Sequence, residues 1–337
     1  MTLNMQWVRN LDEVRAFLDG NVPVDLSVPA GESRGVAASR VQGSRAEAVF
    51  PGCEQPGTLG LRNDKEWRRH HMSVRVERNG PVTTIIHSRP EARNAMDPDS
   101  AVALVTAFEA FDADPNASVG VFWDEGGAFC AGWDLKYAST LTDHPQPLAF
   151  LNFPPEGEPV PRGPMGPSRL KLSKPVIAAV AGPAVAGGFE LALWCDVRVM
   201  ERSAYFGVYC RRWGVPLIDG GTVRLPRLVG QGRAMEIILT GRKVPADECL
   251  RIGACEKVVE DGQSRQEAEA MAQQIARFPQ VCVRADRRSV LQQQGLSHDG
   301  AMRAEWSNSV GAFGAEGLAG ATRFSSGKGR HGDFSEF

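Results

Sequence analysis

Two short loops hold the residues with chemistry to offer. Ala128-Phe-Cys-Ala-Gly-Trp-Asp-Leu-Lys136 and Ala179-Val-Ala-Gly-Pro-Ala-Val-Ala-Gly-Gly-Phe-Glu190 each follow an apolar run that reads as a buried strand. Both put glycine and other small residues at a strand exit, where a backbone can approach a ligand closely. The second loop also opens a helix expected over 188–195. The start of a helix presents unpaired N–H groups and a partial positive charge. An oxygen that gains negative charge during a reaction needs that environment. Glu190 sits on the first turn of this helix, three residues after Gly187, where its carboxylate points toward the same cleft. The competing reading is that Glu190 only complements the helix dipole at a surface.

The elements that must position these loops are legible around them. Ser73–Arg78 and Val82–His87 read as strands joined through Asn79-Gly80, a strong hairpin signal. Asp97-Pro98 is an N-cap followed by a proline at the first helical position. Ala101, Leu104, Val105, Phe108 and Phe111 then share one helical face. Val119–Trp123, Val176–Val180 and Asp196–Met200 are short buried strands, and Ser264 with Glu267 predicts a capping box for a helix running to Phe278. Strands alternating with helices imply an α/β domain with stacked sheets over 72–262, followed by a helical region over 263–337.

Residues 1–71 read differently. Leu11–Leu18 could form a short amphipathic helix, but 20–60 contain eleven Gly or Pro and few large apolar residues. Such a stretch cannot bury enough surface to offset its ordering entropy, so an appended, poorly ordered segment is expected. Its Gly31-Glu-Ser-Arg-Gly35 matches a nucleophile-elbow pattern without the strand and helix that motif requires, and reads as chance.

Composition narrows the function further. The 337 residues are 42% hydrophobic and 23% charged, with net charge −2. A sizeable core is possible, and the balanced charge argues against nucleic-acid binding. The seven cysteines show no paired spacing and the six histidines no ligand spacing. Neither a disulfide framework nor a metal site is expected, and a cytoplasmic, reducing setting is. The longest uncharged stretch, Pro175–Phe189, is too short to span a membrane, and the first twenty residues lack an apolar signal region.

The two loops resemble those of the crotonase superfamily, the enoyl-CoA hydratase/isomerase family. Arg89-Pro-Glu-Ala-Arg-Asn-Ala95, Ala204-Tyr-Phe-Gly207, Gly220-Gly-Thr-Val-Arg-Leu225, Gly232-Arg-Ala-Met-Glu236 and Leu239-Thr-Gly241 carry the likeness across residues 73–320. The resemblance implies a spiral of repeated ββα units, two nearly perpendicular sheets, and C-terminal helices that pack into trimers or into hexamers made of two trimers. It implies an acyl-CoA thioester as substrate, with coenzyme A part of that substrate and no separate cofactor. It implies that the N–H groups of Trp133 and Gly187 form an oxyanion hole. Ala92 and Arg93 would line the adenine and phosphate end, with Ala95, Ala131, Asp134, Leu135 and Lys136 completing the CoA-binding stretch.

The carboxylates bear on the reaction. Hydratases of this family hold a water with two glutamates, and Glu190 occupies the first position. Cys210 stands at the second, where it reads either as a nucleophile or as a small buried thiol. Asp219 is the nearest replacement, although it could instead cap the helix after Gly220-Gly221. Arg211 and Arg212 could steer an anionic ligand or be a solvated pair. The expected activity is hydration of a 2-enoyl-CoA, with Glu190 as base assisted by Asp219. The alternatives are double-bond isomerisation or thioester hydrolysis with one carboxylate, or CoA-thioester binding without turnover. A dinucleotide-dependent oxidoreductase is excluded, because no G-x-G-x-x-G follows a strand.

Overall fold

A hairpin opens the fold, in a computed structural model that describes residues 73–329. The expectations for residues 1–71, with the Gly31–Gly35 match, lie outside the described residues. Strands β1 (Val74–Asn79) and β2 (Val82–His87) pair antiparallel, Asn79 against Val82, with Gly80 at φ 58° in the turn. Helix α1 (Pro98–Ala113) starts as its sequence demands: the Asp97 carboxylate accepts from Ser100 N at 2.8 Å and Pro98 fills the first turn. Ala101, Leu104, Phe108 and Phe111 are buried along one face, with Val105 at its margin.

The chain continues through β3 (Val119–Asp124), α2 (Leu135–Ser139), β4 (Val176–Val180), β5 (Pro183–Val185), α3 (Gly187–Trp194), β6 (Val197–Glu201) and β7 (Tyr205–Gly207). Then come α4 (Gly221–Val229), α5 (Gln231–Thr240), β8 (Lys243–Pro245), α6 (Ala246–Ile252), β9 (Lys257–Val259) and α7 (Ser264–Ala276). Helices α8 (Gln280–Gln292), α9 (His298–Ala312) and α10 (Leu318–Ser325) complete the described chain.

Six strands form one sheet in the order β1-β2-β3-β4-β6-β9, parallel from β2 onward. Parallel strands are buried on both faces, which is why β4 reads as an unbroken apolar run and β2 is buried throughout even at Thr83, Thr84 and His87. One face is covered by α7, whose Ala268 and Ala272 pack on Val121, Ile177 and Val199. The main core lies on the other face, with Phe108, Phe122 and Phe129 in edge-to-face contact through Phe122. A second sheet has the order β5-β7-β8. Its three-residue strands are too short to show a period in the sequence.

The capping box expected at Ser264 does not form. Gln263 is the N-cap, and Ser264 gives its hydroxyl to the buried Glu201 at 2.7 Å while Glu267 pairs with Lys257 at 2.5 Å. A buried carboxylate needs donors more than a helix end does, and it claims the serine. The C-terminal helices are anchored by Arg287 on α8, whose Nε donates to both Asp196 oxygens at 2.9 Å and whose Nη1 donates to Leu172 O. Among the described residues, no helix is long and apolar enough to cross a membrane.

Candidate active site

The two loops meet edge to edge. Cys130 N donates to Pro183 O at 3.1 Å and Val185 N to Cys130 O at 2.9 Å, so the first loop adds a short parallel bridge beside β5. Gly132 makes the approach possible. Its φ of 95° favours glycine, and a Cβ there would stand 2.7 Å from Ala186 Cβ and 3.0 Å from Gly187 N. Ala186, just ahead of α3, holds φ 54° and ψ −124°, a conformation that costs a non-glycine residue about 1–3 kcal/mol. It is tied there by its N–H to Gly207 O at 2.8 Å. Among the described residues the N–H groups of Trp133 and Gly187 have no acceptor, and both residues line one cavity.

That cavity, ≈ 560 Å³ including its open mouth, lies between the loops and the segment 209–219. Trp133, Met165, Tyr209, Trp213, Val215 and Ile218 make most of its wall apolar. Glu190 and Asp219 are its carboxylates, 2% and 4% exposed. Glu190 Oε1 accepts from Asp219 N at 2.9 Å and Gly221 N at 2.8 Å, and Oε2 has no partner among the described residues. Burial, with the neighbouring Asp219 charge, pushes the Glu190 carboxyl up to about 7.

Asp219 does not cap α4: Gly220 does, at φ 102° and without a side-chain bond. The Asp219 carboxylate turns the other way. Its Oδ1 accepts from Met165 N at 3.1 Å and from the Ser168 hydroxyl. Burial raises it as well, opposed by those hydrogen bonds and by Arg169 and Arg224. Arg224 braces the pair from behind, donating to Asp219 O and Ser168 O at 2.7 Å each. Ser168 and Arg224 escaped the sequence reading. Arg224 lay inside a recognised block without an evident role, and Ser168 had no local signal.

Cys210 lies in the cavity wall, 8% exposed, and burial raises its thiol. A protonated thiol is a poor nucleophile, so the structure favours the reading as a small buried thiol. The adjacent arginines divide: Arg211 donates to Ile238 O at 2.6 Å, whereas Arg212 stacks 3.9 Å over Tyr209 at the cavity.

The remaining candidates gather along the first loop. Ala131 N donates to Arg93 O at 3.0 Å, and Met96 bridges Trp133, so 89–96 and 128–134 form one platform. Buried Asn94 fastens it with bonds of 2.7 Å to both Glu125 O and Ala128 O. Arg93 is exposed at φ 51°, with Ala92 and Ala95 half-buried on either side. Ala131 and Leu135 line the cavity, and Lys136 is exposed on α2. The Asp134 side chain caps α2 through Lys136 N at 2.9 Å and pairs with Arg89 at 3.2 Å, a bracing role. Among the described residues, no group of three or more His, Cys, Asp or Glu could hold a metal.

Comparison with known proteins gives a family and a fold. The family described as enoyl-CoA hydratase/isomerase matches residues 77–309. An enoyl-CoA hydratase of Mycobacterium tuberculosis is 33% identical over 245 residues, 71% of this chain and 87% of that protein. The carnitinyl-CoA dehydratase of Salmonella typhimurium is 35% identical over 221 residues, 63% of this chain and 78% of that one. The crystal structure of an enoyl-CoA hydratase from Mycobacterium marinum superposes with a TM-score of 0.67 at 32% identity, covering 75% of this chain and 96% of the other.

Proposed function

We propose a reaction for a chain that belongs to the enoyl-CoA hydratase/isomerase family and has its crotonase fold: addition of water across the C2=C3 bond of a 2-enoyl-CoA. The observation that carries this reading is the meeting of two buried carboxyl groups, Glu190 and Asp219, in one apolar cavity edged by the free N–H groups of Trp133 and Gly187. Isomerisation needs one base that shuttles a proton, whereas adding the elements of water is served by two groups.

In this mechanism the two N–H groups receive the thioester oxygen. Water's oxygen bonds to C3, and the C2=C3 π pair moves into the thioester to give an enolate. One carboxylate takes the proton that water releases. As the enolate collapses, C2 takes a proton from the other carboxyl group. Each oxyanion donor contributes about 3–4 kcal/mol of transition-state stabilisation in comparable sites, and a general base about a hundred- to ten-thousand-fold in rate. The coenzyme A portion runs along the platform carrying Ala92, Arg93, Ala95, Ala131, Asp134, Leu135 and Lys136. The reaction asks for no metal or further cofactor. The six cysteines of the described residues are all free, which fits a cytoplasmic setting. The exposed apolar residues of α9, Met302, Trp306 and Val310, with Phe313 beyond it, support assembly into a trimer or a hexamer.

The test is turnover of crotonyl-CoA by the wild type and by Glu190→Gln, following both enoyl absorbance and free CoA thiol. Enoyl loss without thiol release, absent in the variant, is expected. No enoyl loss, or loss with thiol release, overturns hydration and moves the reaction to isomerisation, hydrolysis or binding without turnover.

A further inference from the structure

Glu190 and Asp219 are both buried in the wall of one largely apolar cavity, where two charges are disfavoured and a single proton held by the pair is favoured. Which carboxyl keeps it decides which acts as acid and which as base. The two groups are held differently. Glu190 receives only backbone N–H groups, those of Asp219 and Gly221. Asp219 receives one backbone N–H, from Met165, and one hydroxyl. That hydroxyl belongs to Ser168, which is 2% exposed and, among the described residues, makes no other side-chain hydrogen bond. Its single proton therefore points at Asp219 Oδ1, and a donor aimed at a carboxylate favours the charged form.

Ser168 is itself held in place. Its carbonyl accepts from Arg224 Nη2 at 2.7 Å, and Arg224 Nη1 reaches Asp219 O at the same distance. One guanidinium thus fixes the backbone at both ends of the Ser168 to Asp219 contact. The charged and titratable groups around Asp219 are Glu190, Arg162, Arg169, Arg224 and the buried Cys130 thiol; Cys210 faces Glu190. Arg162 and Arg169 favour an ionised Asp219, Arg224 favours ionisation of both carboxyl groups, and among the described residues none of the three forms an ion pair with Asp219.

We propose that Ser168 is a positioning residue that keeps Asp219 ionised and leaves the proton of the pair on Glu190. This rests on the hydration reading for its chemical meaning: Asp219 takes the proton from water, and Glu190 supplies the proton to C2. Glu190 then enters the reaction as the acid, the reverse of the role its sequence position suggests.

An infrared titration reads the proton without any turnover. In the wild type the protonated-carboxyl band near neutral pH disappears in Glu190→Gln. In Ser168→Ala the proton moves, so the band survives Glu190→Gln and disappears in Asp219→Asn. The acidic limb of the kcat profile of Ser168→Ala rises by about one pH unit, with KM little changed, as expected for losing a hydrogen bond to a charged group. Ser168→Cys keeps the shape with a weaker donor and shifts in the same direction should the alanine variant fail to fold. A band that depends on Glu190 in both backgrounds, with an unmoved acidic limb, overturns the role of Ser168. Because the infrared result stands without catalysis, it is separable from failure of the hydration reading, which shows as a wild type inert toward crotonyl-CoA.

Discussion

Glu190 ties stability to pH. Its folded-state carboxyl is raised from 4.5 to about 7, so the folded protein binds the proton more tightly than the unfolded chain. The sign follows directly: the stabilisation is complete below pH 4.5 and is lost as pH rises through about 7. Asp124, buried against His87 Nδ1 at 2.6 Å and pushed to about 6 by burial, adds a loss of the same sign in a lower window. The melting temperature of the wild type is expected to fall between pH 5 and 8. Glu190→Gln should flatten that fall and be more stable at pH 8, by on the order of 1–3 kcal/mol in urea titrations. A variant with the wild-type slope contradicts the burial argument. Asp219→Asn is expected to lower kcat by about a hundred- to ten-thousand-fold on crotonyl-CoA with an unchanged fold by circular dichroism. At this scale the sequence showed an acid on a helix's first turn, which is a local signal. It could not show Ser168, because the contact with Asp219 spans 51 residues and exists only after the loops fold.

The elements explain how loops rich in glycine and alanine hold a fixed geometry. The platform of 89–96 and 128–134 is laced by backbone bonds and by buried Asn94, and it abuts the start of α3 where only glycine fits. A Cβ at position 188 would stand 2.2 Å from Cys130 O, a backbone atom that cannot step aside without moving the first loop. Gly188→Ala should therefore lower stability by about 1–3 kcal/mol in denaturant titrations, and should lower kcat even in the molecules that remain folded. An alanine variant with wild-type kcat would show that the loops tolerate separation. Secondary structure here was readable where it depended on neighbours in sequence: the Asp97 cap, the hairpin at Gly80, the buried runs of β3 and β4. It failed at Ser264, where a carboxylate 63 residues away decides the hydroxyl's partner. It was silent on β5, β7 and β8, whose pairing is set by what surrounds them.

Over the whole molecule, the main sheet buries its apolar residues under α7 on one side and the principal core on the other, while the C-terminal helices keep an apolar surface outward. Trp306 is 71% exposed and Phe313 62%. With the assembly proposed above, Trp306→Glu should shift the protein to a smaller species in analytical ultracentrifugation while leaving the monomer's helical content intact. An unchanged sedimentation coefficient would place the subunit contact elsewhere. The α/β order and the helical C-terminus were legible from periodicity, but the exposed apolar surface of the last helices was not, since an exposed apolar residue looks the same in sequence as a buried one.

The strained Ala186 has a consequence for anyone wishing to make this protein more heat-resistant. Glycine adopts φ 54°, ψ −124° without steric cost, so Ala186→Gly removes strain of about 1–3 kcal/mol, against about 0.5–1 kcal/mol of chain freedom in the unfolded state and about 0.8 kcal/mol for the buried methyl. The substitution should raise the melting temperature and slow the enzyme together. An alanine at this position gives up thermal robustness for a stiffer backbone just ahead of Gly187, an antagonism between durability and speed.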